Sequence, residues 1–216
     1  MGRYPMTALS DKVLRVGFNT NNRAIVDRSG DRLVGPAPRL AEEICKLTGL
    51  ILRPVIFENA RSLVEGAASE WDIAFLAVDP SRSDRIEFSA PYLEIEATFL
   101  CRSTVTERSC ADIIASGQKI LSATGASYDN RLSKVTNPGL VISARSPAEA
   151  LAYFRDGRAD VLAGIRSTLE RDALPDTAVL SDAFSTISQA VGLSSQARHL
   201  LPQVNQAVAN FLQTAR

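Results

Sequence analysis

The stretch from Val13 to Val78 constrains this chain more than any other. Three apolar runs, Val13–Phe18 (VLRVGF), Leu50–Phe57 (LILRPVIF) and Trp71–Val78 (WDIAFLAV), alternate with two segments of helical character. Residues 38–48 place Leu40, Ile44 and Leu47 on one face, between Pro38 and a stop at Gly49, and Arg61–Ser69 follows the second run. Short runs of branched and aromatic residues read as buried strands, and strand-helix alternation predicts a parallel sheet with right-handed crossovers. Pro54 has no N–H for a ladder, so its strand belongs at an edge or a bulge. The polar residues 19–35 predict a loop with a turn at Ser29-Gly30-Asp31.

Beyond residue 78 the pattern changes. Residues 79–91 read as loop, then Glu94–Arg102 as a long strand. Strands at Lys119–Ala123, Val141–Ser143 and Val161–Gly164 alternate with helices at 127–134 and Pro147–Phe154, and a short helix at Thr168–Ala173 follows. Val179–Leu180 and Ile187–Leu193 read as strands, and Leu200–Thr214 as the last helix. This predicts a second α/β unit with its own sheet. No repeat, low-complexity stretch or Pro/Gly/Ser linker separates the halves.

Composition narrows the function classes. Among 216 residues, 24 Lys and Arg balance 24 Asp and Glu, which argues against nucleic acid as a partner, because phosphate binding needs a basic face. No apolar run is long enough to read as a membrane-spanning helix. The opening MGRYPMTALSDKVLRVG has no apolar core and no cleavage site, so no signal peptide is read there. Cys45, Cys101 and Cys110 are too few and too widely spaced for a zinc signature or a disulfide framework. Cys45 reads as a buried thiol, and Cys101 and Cys110 pair only if their chains lie close. His199 stands alone at the start of the last helix, with no nucleophile-elbow, P-loop, dinucleotide or His-Glu-x-x-His motif. No cofactor, metal or enzymatic activity is expected.

Several motifs in one order carry a resemblance. Trp71–Tyr92, WDIAFLAVDPSRSDRIEFSAPY, is similar to an Asp-containing strand, a Thr/Asp-Pro-x-Arg loop and a Phe-Ser-x-Pro-Tyr motif. Gly157-Arg158-Ala159-Asp160 is similar to a Gly-Arg-x-Asp motif before a strand, and Gly125-Ala126-Ser127-Tyr128 to a Gly-Ser/Thr loop opening a helix. Across residues 13–212 the chain resembles the family 3 solute-binding proteins of bacterial ABC transporters, with the type II periplasmic-binding-protein fold. The resemblance implies an α/β fold of two lobes, two hinge strands and a ligand cleft between the lobes. Lobe 1 would hold residues 1–94 and 188–216, and lobe 2 residues 95–187, with hinges near Tyr92–Glu96 and Phe184–Gln189. It implies a monomeric receptor for a small carboxylate, with an ABC permease as partner. The location is periplasmic by resemblance, or cytoplasmic if no leader precedes the chain.

The resemblance also names site residues. Arg82 matches the family's carboxylate-binding arginine, whose planar fork suits a carboxylate. Gly125, Ala126 and Ser127 form a turn whose N–H groups would face an anion at a helix start; Ser127 also reads as a plain N-cap. Asn19 and Asn22 follow the first strand as hydrogen-bonding residues or as a turn. Ala77 offers only backbone where many members have a hydroxyl, and Tyr92 closes the Phe-Ser-x-Pro-Tyr motif. Ile165 stands where amino-acid binders carry an Asp for the ligand's ammonium, with Arg166 beside it. An unpaired buried ammonium is costly, so within the expected class of amino-acid-like solutes and organic acids Ile165 points toward an acid without an amino group, unless Glu94 or Glu96 supplies the missing charge. Two alternatives stand beside the receptor: a dehydratase-like enzyme on the same scaffold, using Glu94, Glu96 or Glu170, and a cytoplasmic small-molecule sensor.

Overall fold

A computed structural model describes residues 12–79 and 84–214. Its first unit follows the predicted alternation. β1 (Val13–Asn19) lies between β4 (Ile51–Phe57) and β5 (Ile73–Ala77), parallel to both. Among the described residues β4 is the outer strand of the three and pairs with β1 alone, the edge position that suits Pro54. The turn at Gly30 joins a small hairpin, β2 (Asp27–Ser29) and β3 (Arg32–Val34). α1 (Pro36–Thr48) starts two residues earlier than predicted and ends at Gly49, which adopts the left-handed conformation. Its first turn sits tightly on the chain before it. Gly35 has φ of 120°, and a Cβ there would lie 2.7 Å from the carbonyl oxygen of Ile25. α2 (Ala60–Glu65) is capped by Asn59 and passes into a 3-10 turn at Gly66–Ala68.

Two polar anchors fix β5. Trp71 is fully buried, and its Nε1–H donates to the Leu63 carbonyl at 2.7 Å. Asp72 is almost fully buried and accepts from Arg15 Nη2 at 2.7 Å, Arg15 Nε at 3.2 Å and the Arg15 backbone N–H at 2.8 Å. A buried carboxylate needs such pairing to offset its desolvation.

The remaining strands are β6 (Glu87–Phe88), β7 (Leu93–Arg102), β8 (Ile120–Ala123), β9 (Val141–Ala144), β10 (Val161–Ile165), β11 (Thr177–Val179) and β12 (Ser185–Leu193). The helices among and after them are α3 (Cys110–Ala115), α4 (Ser127–Val135), α5 (Pro147–Arg155), α6 (Arg166–Asp172) and α7 (Leu201–Thr214). Here the expectation of a separate sheet for each half fails. Among the described residues, hydrogen bonding runs without a break through β4-β1-β5-β12-β7-β10-β8-β9. The cause is strand length. β12 pairs its second half with β5 (Gln189↔Ala77 to Leu193↔Ile73) and its first half with β7 (Ser185↔Ala97 to Gln189↔Leu93). β7 then continues past that junction to pair with β10, Ala97↔Ile165 to Cys101↔Val161. At roughly 3.3 Å per residue, strands of this length reach through both halves.

The apolar core still divides. Leu14, Val16, Leu40, Ile44 and Val204 belong to one cluster and Phe57, Leu63, Trp71 and Leu76 to another, on the two sides of the first unit's sheet. Phe99, Ile113, Ile120 and Leu132 belong to a third, and Leu121, Phe154 and Leu162 to a fourth, in the second unit. Leu93 packs against both the first and the third clusters, at the β7–β12 junction.

Candidate functional site

The C-terminal ends of β1, β5, β8 and β10 converge on one cleft of about 660 Å³. That is where open α/β sheets place ligands, because loops and helix starts gather there. One wall carries Asn19 at the end of β1 and Asn22 beyond it, Glu58 and Asn59 after β4, and Ala77 at the end of β5. The opposite wall carries the Gly125-Ala126-Ser127 turn, the start of α5 at Ser146 and Pro147, and Ile165 ending β10. Phe75 and Ile95 contribute apolar surface.

Of the residues named from sequence, Asn19, Asn22, Ala77, Gly125, Ala126, Ser127 and Ile165 line this cleft. Arg82 lies outside the described residues. Tyr92 and Arg166 do not line it. Tyr92 is a core residue, 1% exposed, edge-on to Phe75 at 5.6 Å and to Phe211 at 6.4 Å, and burial pushes its phenol well above the usual range. Arg166 is committed elsewhere. Its Nε donates to Glu96 at 2.6 Å, Nη1 to the Leu180 carbonyl at 2.7 Å, and Nη2 to the carbonyls of Ser181 and Asp182 at 3.0 and 2.9 Å. It therefore ties β7 to the 180–182 segment and has little left for a ligand. The same bond settles Glu96, which is exposed and pairs with Arg166, while Glu94 is exposed on the same face of β7. Neither turns into the cleft as a substitute for Ile165.

The 125–127 turn is also modified by its own helix. Ala126 is the N-cap of α4 and Ser127 its first residue, so the capping reading of Ser127 is corrected. Asp129, in the first turn, accepts from the Gly125 N–H at 3.2 Å. The donor expected to face an anion is thus already shared with a carboxylate of the protein, one that also complements the helix dipole.

Sequence reasoning passed over Glu58, Asn59, Asp129, Thr168 and Asp172, all of which line the cleft. Two signals were present. Asn59-x-x-Ser62 is an N-cap pattern, and Ile165, Thr168, Leu169 and Asp172 recur at helical spacing along α6, so one face of that helix borders the cleft. Charged groups around the cleft are mostly paired: Arg23 with Asp27 at 3.3 Å, Arg61 with Glu65 at 3.5 Å and Arg145 with Glu149 at 2.6 Å. Among the described residues no cluster of three or more His, Cys, Asp or Glu could hold a metal ion. The three cysteines are buried and unpaired, and burial pushes Cys101 up to about 12 and Cys110 to about 11.

No family model matches the sequence, and no curated protein matches it. Solved structures do. The arginine-bound truncated ArgBP of T. maritima is 19% identical, with a TM-score of 0.78 over 92% of this chain and 96% of that one. The arginine-, lysine-, histidine-binding protein ArtJ of Geobacillus stearothermophilus is 15% identical, with a TM-score of 0.77 over 94% and 90%. A histidine kinase sensor domain with similarity to periplasmic binding proteins is 13% identical, with a TM-score of 0.82 over 95% and 92%. At these identities the likeness is one of fold: a two-lobed type II periplasmic-binding-protein fold, in which β7 and β12 are the long strands common to both halves.

Proposed function

We propose that this chain, built on the fold of the periplasmic binding proteins, is a non-enzymatic receptor for a small carboxylate-bearing solute. Its role would be to deliver that solute, as a monomer, to an ABC permease at the outer face of the membrane. The observation that carries the reading is the cleft itself: about 660 Å³, enough for an amino-acid-sized ligand, open between two walls that meet at the β7–β12 junction. We assign residues 1–94 and 188–216 to one lobe and 95–187 to the other. The division of the apolar core into clusters on either side of the junction supports this. Two long strands with separate cores on either side suit hinge closure around a ligand. The names of the structural neighbours support a solute receptor, since two of those reported bind arginine, and an ancestral arginine-binding protein of similar fold is bound to glutamine.

Arg82 is the proposed partner of the ligand's carboxylate. A thermal-shift screen of amino acids, keto acids, aromatic acids and dicarboxylates tests the receptor reading, because a ligand that binds only the folded state raises the apparent stability. Arg82→Ala should then weaken the confirmed ligand by about 30-fold or more while leaving the melting temperature of the free protein unchanged. Full affinity in that variant would remove Arg82 from the site. The likeness to a sensor domain favours a second reading, a ligand-responsive sensor without transport. Capture of a permease by the loaded protein, measured in membranes of the source organism, separates the two.

A further inference from the structure

Asn19, Asn21, Asn22, Asn59 and Asn130 place five primary amides around the cleft. An amide has a donor end and an acceptor end, and its neighbours decide which is left over. The Asn19 Oδ1 accepts from the backbone N–H of Asn21 at 3.1 Å. The Asn59 Oδ1 accepts from the backbone N–H of Ser62 at 2.8 Å, as the N-cap of α2. A backbone N–H donates only to an acceptor, so neither amide can turn round without losing its bond. In both, the NH2 end is therefore the one left over. Neither Nδ2 has a hydrogen-bond acceptor among the described residues.

The two amides stand on adjoining loops that are stitched together. β1 and β4 run side by side with Asn19 opposite Phe57. The Thr20 N–H donates to the Phe57 carbonyl at 3.0 Å, and the Asn21 side-chain amide donates to the Glu58 carbonyl. This wall is held by backbone and offers N–H donors. Residues 19–23, Asn-Thr-Asn-Asn-Arg, carry no aromatic ring on which a cation could rest. Of the acids that line the cleft, Asp129 also accepts from the Gly125 N–H at 3.2 Å, Asp172 lies 3.8 Å from Arg171, and Glu58, on the same wall as the two asparagines, is exposed like Asn59.

Resting on the receptor reading above, we propose that Asn19 and Asn59 form a clamp for an sp² oxygen at the end of the ligand, a carboxylate or carboxamide oxygen. The solute then ends in an acceptor at this wall, and a ligand ending in an ammonium or guanidinium is disfavoured.

Asn→Asp exchange tests this without disturbing the loops, because a carboxylate oxygen can still accept from Asn21 or Ser62 while the NH2 donors vanish. Calorimetric titrations of wild type, Asn19→Asp and Asn59→Asp would use glutarate, L-glutamine and L-lysine, three probes of similar length with different ends. Wild type should bind glutarate or L-glutamine and not L-lysine; which of the two acceptor-ended probes binds distinguishes carboxylate from carboxamide. Each Asp variant should weaken that probe about tenfold or more and gain affinity for L-lysine. Lysine binding by wild type, or acceptor-probe affinities within twofold in both variants, overturns the clamp while leaving the receptor reading intact. Failure of both glutarate and L-glutamine to bind wild type also overturns it, and the broader thermal-shift screen then judges the receptor reading separately.

Discussion

Gln189 lies in the middle of β12 with no exposed surface, opposite Ala77 on one side and Leu93 on the other. Neither its Oε1 nor its Nε2 has a hydrogen-bond partner among the described residues. Leaving a buried polar group unpaired costs about 1–3 kcal/mol, whereas a leucine of similar size would gain burial free energy. Gln189→Leu should therefore raise the melting temperature of the free protein, at roughly 2–4 °C per kcal/mol for a chain of this size. A drop in calorimetry would mean that the amide is satisfied in solution. Ile165 invites a second substitution. It is the N-cap of α6, without a side-chain capping bond, and half-buried at the cleft. Ile165→Asp should cap α6, which is typically worth about 1 kcal/mol, and should favour L-glutamate over glutarate by placing a negative charge near the ligand. A higher melting temperature with unchanged preference would show that the helix had consumed the carboxylate. These positions also show what was legible in the site. Ile165 and the asparagines after β1 could be read because strand ends and turn residues are visible in sequence. The engagement of Arg166 could not be read, because its partners, Glu96 and the 180–182 carbonyls, come beside it only once β7 and β10 pair.

At the scale of elements, α5 shows how a short helix is held at the cleft edge. Ser146 is its N-cap, accepting from the Glu149 N–H at 3.2 Å; Pro147 opens it; and Glu149 reaches back to the Arg145 N–H at 2.6 Å. This differs from a capping box in that Glu149 reaches one residue further back, to the N–H before the N-cap, but both N–H groups are satisfied by side chains of the same short segment. The Arg145 side chain and backbone hold the Glu149 carboxyl down at about 2. The folded-state value lies below the usual one of 4.5, so its contribution is present above the usual value and is lost as pH falls toward about 2. Helix content at the cleft edge should accordingly be insensitive to pH between 5 and 8, and Ser146→Ala should destabilise the protein by about 1 kcal/mol in urea titrations. An unchanged midpoint would indicate that tertiary packing alone holds α5. Elements with strong periodicity, α1 and the strands β1, β5, β7 and β12, were readable from sequence. The hairpin strands Asp27–Ser29 and Arg32–Val34 were not, since three residues carry no detectable alternation. The six-residue α3 escaped for a similar reason: one and a half turns give no repeat. Continuity of the sheet was also hidden, because pairing order depends on contacts far apart in the chain.

For the whole molecule, the question is what sets the distance between the two walls of the cleft. Besides the β7–β12 junction, one ion pair among the described residues spans them: Arg171 at the end of α6 lies 3.9 Å from Asp27 in the β2–β3 hairpin. Asp27 also meets Arg23 at 3.3 Å, and Arg171 meets Asp172 at 3.8 Å, so four alternating charges cross the cleft mouth. The Arg28 N–H, then Arg23 and Arg171, hold the Asp27 carboxyl below its ordinary value, which keeps it charged at neutral pH. Both partners of the spanning pair are more than a third exposed, so the pair is worth no more than about 0.2–1 kcal/mol. That is too little to hold the fold, but enough to shift a balance between open and closed arrangements by roughly 1.4- to 5-fold. Asp27→Asn should therefore move the wild-type distribution toward wider clefts without changing the melting temperature by more than a degree or two. The distance between spin labels on Lys46→Cys and Lys134→Cys would report this. The native thiols are buried and unlabelled, and both chosen lysines are exposed. Raising the salt to 1 M, where screening acts within about 3 Å, should shift wild type in the same direction and leave Asp27→Asn unmoved. Identical distributions for wild type and variant at low salt would show that the pair forms without restraining the walls, and that the β7–β12 junction alone sets the opening.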